Sequence, residues 1–128
     1  MPIVVLAGVI EHDGAFLLTR RLRGTHLAGT WEFPGGKCEA GETHEECLAR
    51  ELREELGVDA SVGAEIFTVT HEYPERTVEL HFRRCAIEGP PQPLIGQEMM
   101  WARREDLHAL EFPEADRELI ERLRSGRA

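Results

Sequence analysis

The sequence predicts an α+β fold in which a mixed sheet is sandwiched between helices. Three observations predict it. Apolar runs of strand length recur at residues 3–11, 15–22, 64–73, 77–87 and 99–102. One strongly helical stretch interrupts them, residues 43–56, and a second, residues 113–124, closes the chain. Strands broken by one central helix and ended by another belong to layered folds.

Each element has a local reason. The first two strands flank His12-Asp13-Gly14, and that turn chemistry between apolar runs predicts a hairpin. A loop rich in small residues follows, then Trp31-Glu32-Phe33-Pro34-Gly35-Gly36, with Gly35-Gly36 read as a turn. The central helix begins at Thr43, an N-cap with Glu46 three residues on to complete a capping box, and Gly57 stops it. Pro74-Glu75-Arg76 turns the chain between the next two strands, and Gly89-Pro90-Pro91 forms a loop. Pro113 suits the first turn of the closing helix.

A length of 128 residues fits one domain, residues 1–128, with no room for two cores. No apolar run approaches the ~18–20 residues needed to cross a bilayer. Residues 3–10 are apolar but lack a basic flank, so they read as a buried strand and not as a signal peptide. A cytoplasmic location is the expectation. Cys38, Cys47 and Cys85 have neither metal-site nor redox spacing, and the odd count predicts reduced thiols at buried or half-buried positions. The net charge of −9 argues against a nucleic-acid duplex as partner, because phosphate backbones need a basic surface. A small polyanion remains compatible when metal ions bridge the charges.

The central helix carries the chemistry. Placing its residues at 100° intervals with Glu51 at zero puts Glu55 at roughly +40° and Glu54 at roughly −60°. Leu48, Ala49, Leu52 and Leu56 fill an adjoining arc, the face that should be buried. Three carboxylates therefore share one edge of a core-packed helix. Like charges at that spacing destabilise a bare helix, and a hard divalent cation reverses the cost. Arg50, beside Glu54, is placed to orient or neutralise it. A solvated, salt-bridged helix face is the competing reading from the helix alone.

Gly36, Glu42, Arg50-Glu51-Leu52, Glu54-Glu55 and Gly57-Val58 stand at the spacing of the Nudix box and match it at every defined position. Chance would produce that pattern about once in 10⁸ chains of this length at average residue usage. Flanking segments resemble MutT-type members of the family: Arg20-Arg21, Trp31 to Lys37, Tyr73-Pro74-Glu75-Arg76 and Phe112-Pro113-Glu114-Ala115-Asp116. The resemblance implies the Nudix α/β/α sandwich with a central mixed sheet. It implies a pyrophosphohydrolase that converts a nucleoside triphosphate to a monophosphate and pyrophosphate, with Mg2+ as cofactor and Mn2+ able to substitute. Glu51, Glu54, Glu55 and the Gly35 carbonyl would hold the metal, and Glu51 or Glu54 would accept a proton from water. Arg21 would contact phosphate, and Phe33, Arg76 and Asp116 would meet the nucleoside. For each of these a bland reading stands beside it: a solvated arginine for Arg21 and Arg76, a core aromatic for Phe33, a first-turn acid for Asp116.

Two positions depart from the resemblance. MutT-type enzymes usually carry glutamate just before the Gly-Gln pair that precedes the last strand. Here Ile95 precedes Gly96-Gln97, which leaves Glu98 as the nearest acid and the catalytic candidate to substitute for that glutamate, as metal ligand or base, with altered geometry. Asp116 stands where enzymes with strong preference for oxidised guanine tend to have asparagine. An amide offers both a donor and an acceptor to the O6 and N7–H of 8-oxoguanine, whereas an ionised carboxylate only accepts. The expected activity is a monomeric 8-oxo-dGTP diphosphatase of nucleotide-pool sanitation. A CTP- or dCTP-preferring pyrophosphohydrolase is the alternative within the fold, and a non-catalytic regulatory Nudix domain the alternative outside it.

Overall fold

The computed structural model describes residues 2–20 and 29–126. Its elements in chain order are β1 (Ile3–Val9), β2 (Glu11–His12), β3 (Ala15–Arg20), β4 (Trp31–Glu32), β5 (Gly35–Lys37), α1 (His44–Leu56), β6 (Asp59–Tyr73), β7 (Arg76–Glu88), β8 (Glu98–Arg103) and α2 (Arg117–Arg124). Single 3-10 segments cover Arg104–Ala109 and Glu114–Asp116. Among the described residues no helix is long and apolar enough to cross a membrane.

A mixed sheet runs in the order β5-β1-β7-β6. Strand β1 is parallel to β7, from Ile3 opposite Val78 to Val9 opposite Arg84, and its other neighbour β5 is antiparallel. In the second, antiparallel sheet, β3 pairs along its length with β8 and at its two ends with β2 and β4. Strand alternation divides the apolar residues between two faces. Leu6, Ile10 and Leu17 join Cys47, Leu48, Leu52 and Leu56 of α1 in one core, while Val9, Phe16, Leu18 and Phe82 join Leu119, Ile120 and Leu123 of α2 in the other. The layers are helix, sheets, helix, as the sequence predicts.

Helix α1 forms where its caps place it. The Thr43 hydroxyl accepts from Glu46 N–H at 3.1 Å, the Glu46 carboxylate accepts from Thr43 N–H at 2.9 Å, and Gly57 ends the helix at φ 67°. Other elements differ from the sequence reading. The first strand breaks at Ile10, so β1 enters the mixed sheet and only β2 pairs across the Asp13-Gly14 turn. Gly35-Gly36 is not a turn but strand β5, lying so close to β1 that a Cβ on Gly35 would collide with the Leu6 carbonyl. Strand β6 starts at Asp59, well before residue 64, and reaches Tyr73 through register shifts on either side of Glu65. The closing helix opens as a 3-10 turn and becomes α-helical only at Arg117.

The expectation of three reduced thiols does not hold. Cys38 and Cys47 form a disulfide with 5.2 Å between their Cα atoms, and only Cys85 is a free, buried thiol. Spacing along the chain hid the pair. Cys38 directly follows β5, and Cys47 lies in the first turns of α1, which packs along that strand.

Candidate active site

Arg50 organises the acidic face of α1. Its Nε and Nη2 donate to both oxygens of Glu42 at 2.6 and 2.9 Å, Nη1 donates to Glu51 at 2.9 Å and to Glu54 at 3.1 Å, and Nη2 also reaches the Lys37 carbonyl at 3.2 Å. All five guanidinium N–H donors are thereby engaged. The hydrogen bonds from Arg50, aided by the Glu39 N–H, hold the Glu42 carboxyl down to about 2, and Arg50 in turn is raised above its ordinary value. Arg50 thus fixes the rotamers of two carboxylates one turn apart. Gly36 completes the arrangement, because a Cβ there would run into the Glu51 carboxylate.

Glu55 is the strained member of the group. Burial, a hydrogen bond shared with Glu51, and the charges of Glu51, Glu32 and Glu54 push its carboxyl up to about 9. Four carboxylates from two elements therefore converge on one spot, and Glu55 favours its protonated form there until a positive charge offsets the repulsion or the pH rises. This all-oxygen donor set fits a hard divalent cation. Glu51, Glu54, Glu55 and the Gly35 carbonyl are the groups that would hold it, with Glu32 alongside. Nudix hydrolases in general depend on divalent metal ions.

A cavity of about 400 Å³ opens beside this cluster. Glu32, Gly35 and Glu55 line it together with Tyr73 and Arg76 from the β6–β7 hairpin tip and Asp116 from the segment leading into α2. Asp116 is only 4% exposed. Phe33 is the core aromatic of the bland reading, buried on the α2 side, edge-on to Phe82 at 5.9 Å and stacked on Phe112 at 5.8 Å, and it also lines the cavity. Arg76 is exposed at its tip. Arg50, Glu51 and Glu54 flank the cavity without lining it. Glu98 points elsewhere, to an ion pair with Arg20 at 3.3 Å, while Arg20 lies 5.4 Å from the Trp31 ring and does line the cavity. Arg21 lies outside the described residues.

Sequence reading left out Glu32 and Gln97. Glu32 sits within the Trp31-to-Lys37 segment, but an acid in a two-residue strand carries no periodic signal. Gln97 is buried and braces the site: its amide donates to the Glu55 carbonyl at 3.1 Å and its oxygen accepts from Ile95 N–H at 3.1 Å. The Leu94 and Gln92 N–H groups satisfy the carbonyls of Glu55 and Leu56 at 3.0 and 2.9 Å. The loop before β8 thus caps the end of α1 that carries Glu51, Glu54 and Glu55. Ile95, in that loop, faces the cavity where the resemblance leads one to expect glutamate.

Comparison with known proteins agrees with this geometry. The NUDIX domain model matches residues 5–122. An 8-oxo-dGTP diphosphatase of Haemophilus influenzae is 42% identical, the match covering 94% of this chain and 90% of that protein. A CTP pyrophosphohydrolase of Escherichia coli is 39% identical over 98% of this chain and 94% of its own. The crystal structure of a MutT protein from Methanosarcina mazei superposes with a TM-score of 0.87 at 28% identity, covering 99% of this chain and 97% of that one. With its box residues gathered on one helix face beside a nucleotide-sized cavity, the chain belongs to the Nudix hydrolase family, in its MutT-type branch.

Proposed function

We propose that the chain, as a single hydrolase domain of residues 1–128, cleaves 8-oxo-dGTP to 8-oxo-dGMP and pyrophosphate and so clears oxidised guanine from the nucleotide pool. The observation that carries the reading is the buried Glu55 among Glu32, Glu51 and Glu54, on the wall of a cavity that also presents Asp116. Mg2+, or Mn2+ in its place, would neutralise phosphate oxygens and lower the pKa of the attacking water. Arg50 holds Glu51 and Glu54 in place, and one of these two accepts the proton from that water. Arg21 and Arg76 contact the substrate, and Phe33 supports the base from the cavity wall. It acts as a monomer in the cytoplasm on free nucleotides, and the net charge of −9 disfavours a nucleic-acid duplex as substrate. The full carboxylate set argues against a non-catalytic regulatory role.

Asp116 favours a second activity on cytidine triphosphates. It is buried at the cavity and stands where an amide would serve oxidised guanine best. An ionised carboxylate accepts from the exocyclic amine of cytosine, or from N7–H of 8-oxoguanine with O6 left without a donor. The likeness to a CTP pyrophosphohydrolase supports the same reading. The test is kcat/KM for 8-oxo-dGTP, dGTP, dCTP and CTP in wild type and Asp116→Asn. The substitution is expected to shift preference toward 8-oxo-dGTP. Unchanged ratios among the four would remove Asp116 from base recognition, and no turnover of any of them by the wild type would remove the proposed function.

A further inference from the structure

A second cluster of ligating side chains lies at the opposite end of α1. His44, the first residue of the helix, meets His81 of β7 and Glu65 of β6, and the ligand atoms of the three all lie within 4.8 Å of one another. The two imidazole rings are 4.6 Å apart. His81 is 8% exposed, with Nδ1 2.6 Å from Glu65 Oε1 and Nε2 2.8 Å from Glu79 Oε1.

The fold goes out of its way to put Glu65 there. Thr68 lies opposite His81 on the face toward α1, so strict alternation along β6 would bring Ile66 to that face next. The register instead shifts on both sides of Glu65. Ile66 and Phe67 then both pack into the α2-side core, and Glu65 takes the position over His81. Bulges re-aim side chains in this way beside functional sites.

We propose that His44, His81 Nδ1 and Glu65 form a zinc-class metal site, separate from the hydrolytic carboxylates, with Glu79 fixing the His81 tautomer. Two imidazoles and a carboxylate are the donor set of Zn2+ or Co2+ and are poorly matched to Mg2+. A ligating histidine usually gives its other N–H to a carboxylate, the position Glu79 occupies on Nε2. Glu65 is exposed enough to swing outward and admit an ion between itself and His81. Along α1 the cluster is roughly 16 Å from Glu55 at 1.5 Å per residue, and neither histidine lines the nucleotide cavity. An ion here ties the first turn of α1 to the sheet. It takes no part in the attack on phosphate.

The test is binding of Zn2+ alone to the full chain in excess Mg2+, by equilibrium dialysis and by the visible spectrum of the Co2+ form. The expected result is one retained equivalent and an intense four-coordinate Co2+ spectrum. Both should be lost in His44→Ala and in Glu65→Gln, two residues outside the buried core, and Glu79→Gln should weaken binding roughly tenfold or more. Mg2+-dependent hydrolysis in these variants should stay at the wild-type level without Zn2+. Absence of a retained equivalent overturns the site. So does retention in His44→Ala, or loss on Glu55→Gln, which would assign the ion to the hydrolytic carboxylates.

Discussion

Glu55 shows what a single residue is asked to do. Its carboxyl is held between burial, which favours the protonated form, and the proposed role as a metal ligand, which needs the charge. Glu55→Gln keeps the shape and the hydrogen bond and removes the charge. Hydrolysis by this variant is expected to fall about 10²–10³-fold or more, the scale of losing a principal charge-stabilising group, with the fold intact by circular dichroism. Half-retained activity would show that Glu55 is not a principal ligand. Glu98 offers a contrast, because its partner is Arg20 and it does not line the cavity. Glu98→Gln should therefore cost less than Glu55→Gln, and Ile95→Glu should leave kcat/KM unchanged or raise it. A collapse of Glu98→Gln to the level of Glu55→Gln would give Glu98 the essential role after all.

At the scale of elements, the disulfide between Cys38 and Cys47 binds the exit of β5 to the start of α1, across a separation of nine residues. Closing a loop of that size constrains the unfolded chain by roughly 2–3 kcal/mol. Dithiothreitol is expected to lower the urea midpoint of the wild type accordingly and to leave Cys38→Ser unmoved. Equal sensitivity of the two would mean the bond contributes nothing. The elements also explain what a sequence reveals. Helix α1 was legible to its end residues because Thr43, Glu46 and Gly57 are local signals, and the box glutamates ride on it at fixed angles. Strand β5 was not, since two adjacent glycines look like a turn until a neighbouring strand demands their lack of side chains. The Cys38–Cys47 pair and the His44–Glu65–His81 cluster were hidden for a related reason. Both depend on packing between elements, and the second also on a bulge that breaks the two-residue period on which strand reading relies.

The whole molecule carries a charge of −9 and keeps an acidic cluster at its active face. Its stability should therefore depend on pH in a definite direction. The folded-state value of Glu55, raised to about 9 from an ordinary 4.5, means the native state keeps a proton that the unfolded chain has released. Between those values stability falls as pH rises. In chelator-treated protein the melting temperature of the wild type should drop more steeply across this window than that of Glu55→Gln, and Mg2+ should flatten the difference. Parallel slopes without metal would mean Glu55 ionises normally. The cavity itself has a second consequence. Its acidic wall belongs to α1 and β4, whereas Tyr73, Arg76 and Asp116 reach it from a hairpin tip and from the lead-in to the last helix. On the proposed assignment of roles, bond cleavage and choice of nucleobase are encoded in stretches of chain that can mutate independently. A lineage built on this plan can explore new nucleotides by drifting at its periphery while the catalytic helix stays under constant selection, so that a change of diet need never pass through an inactive ancestor.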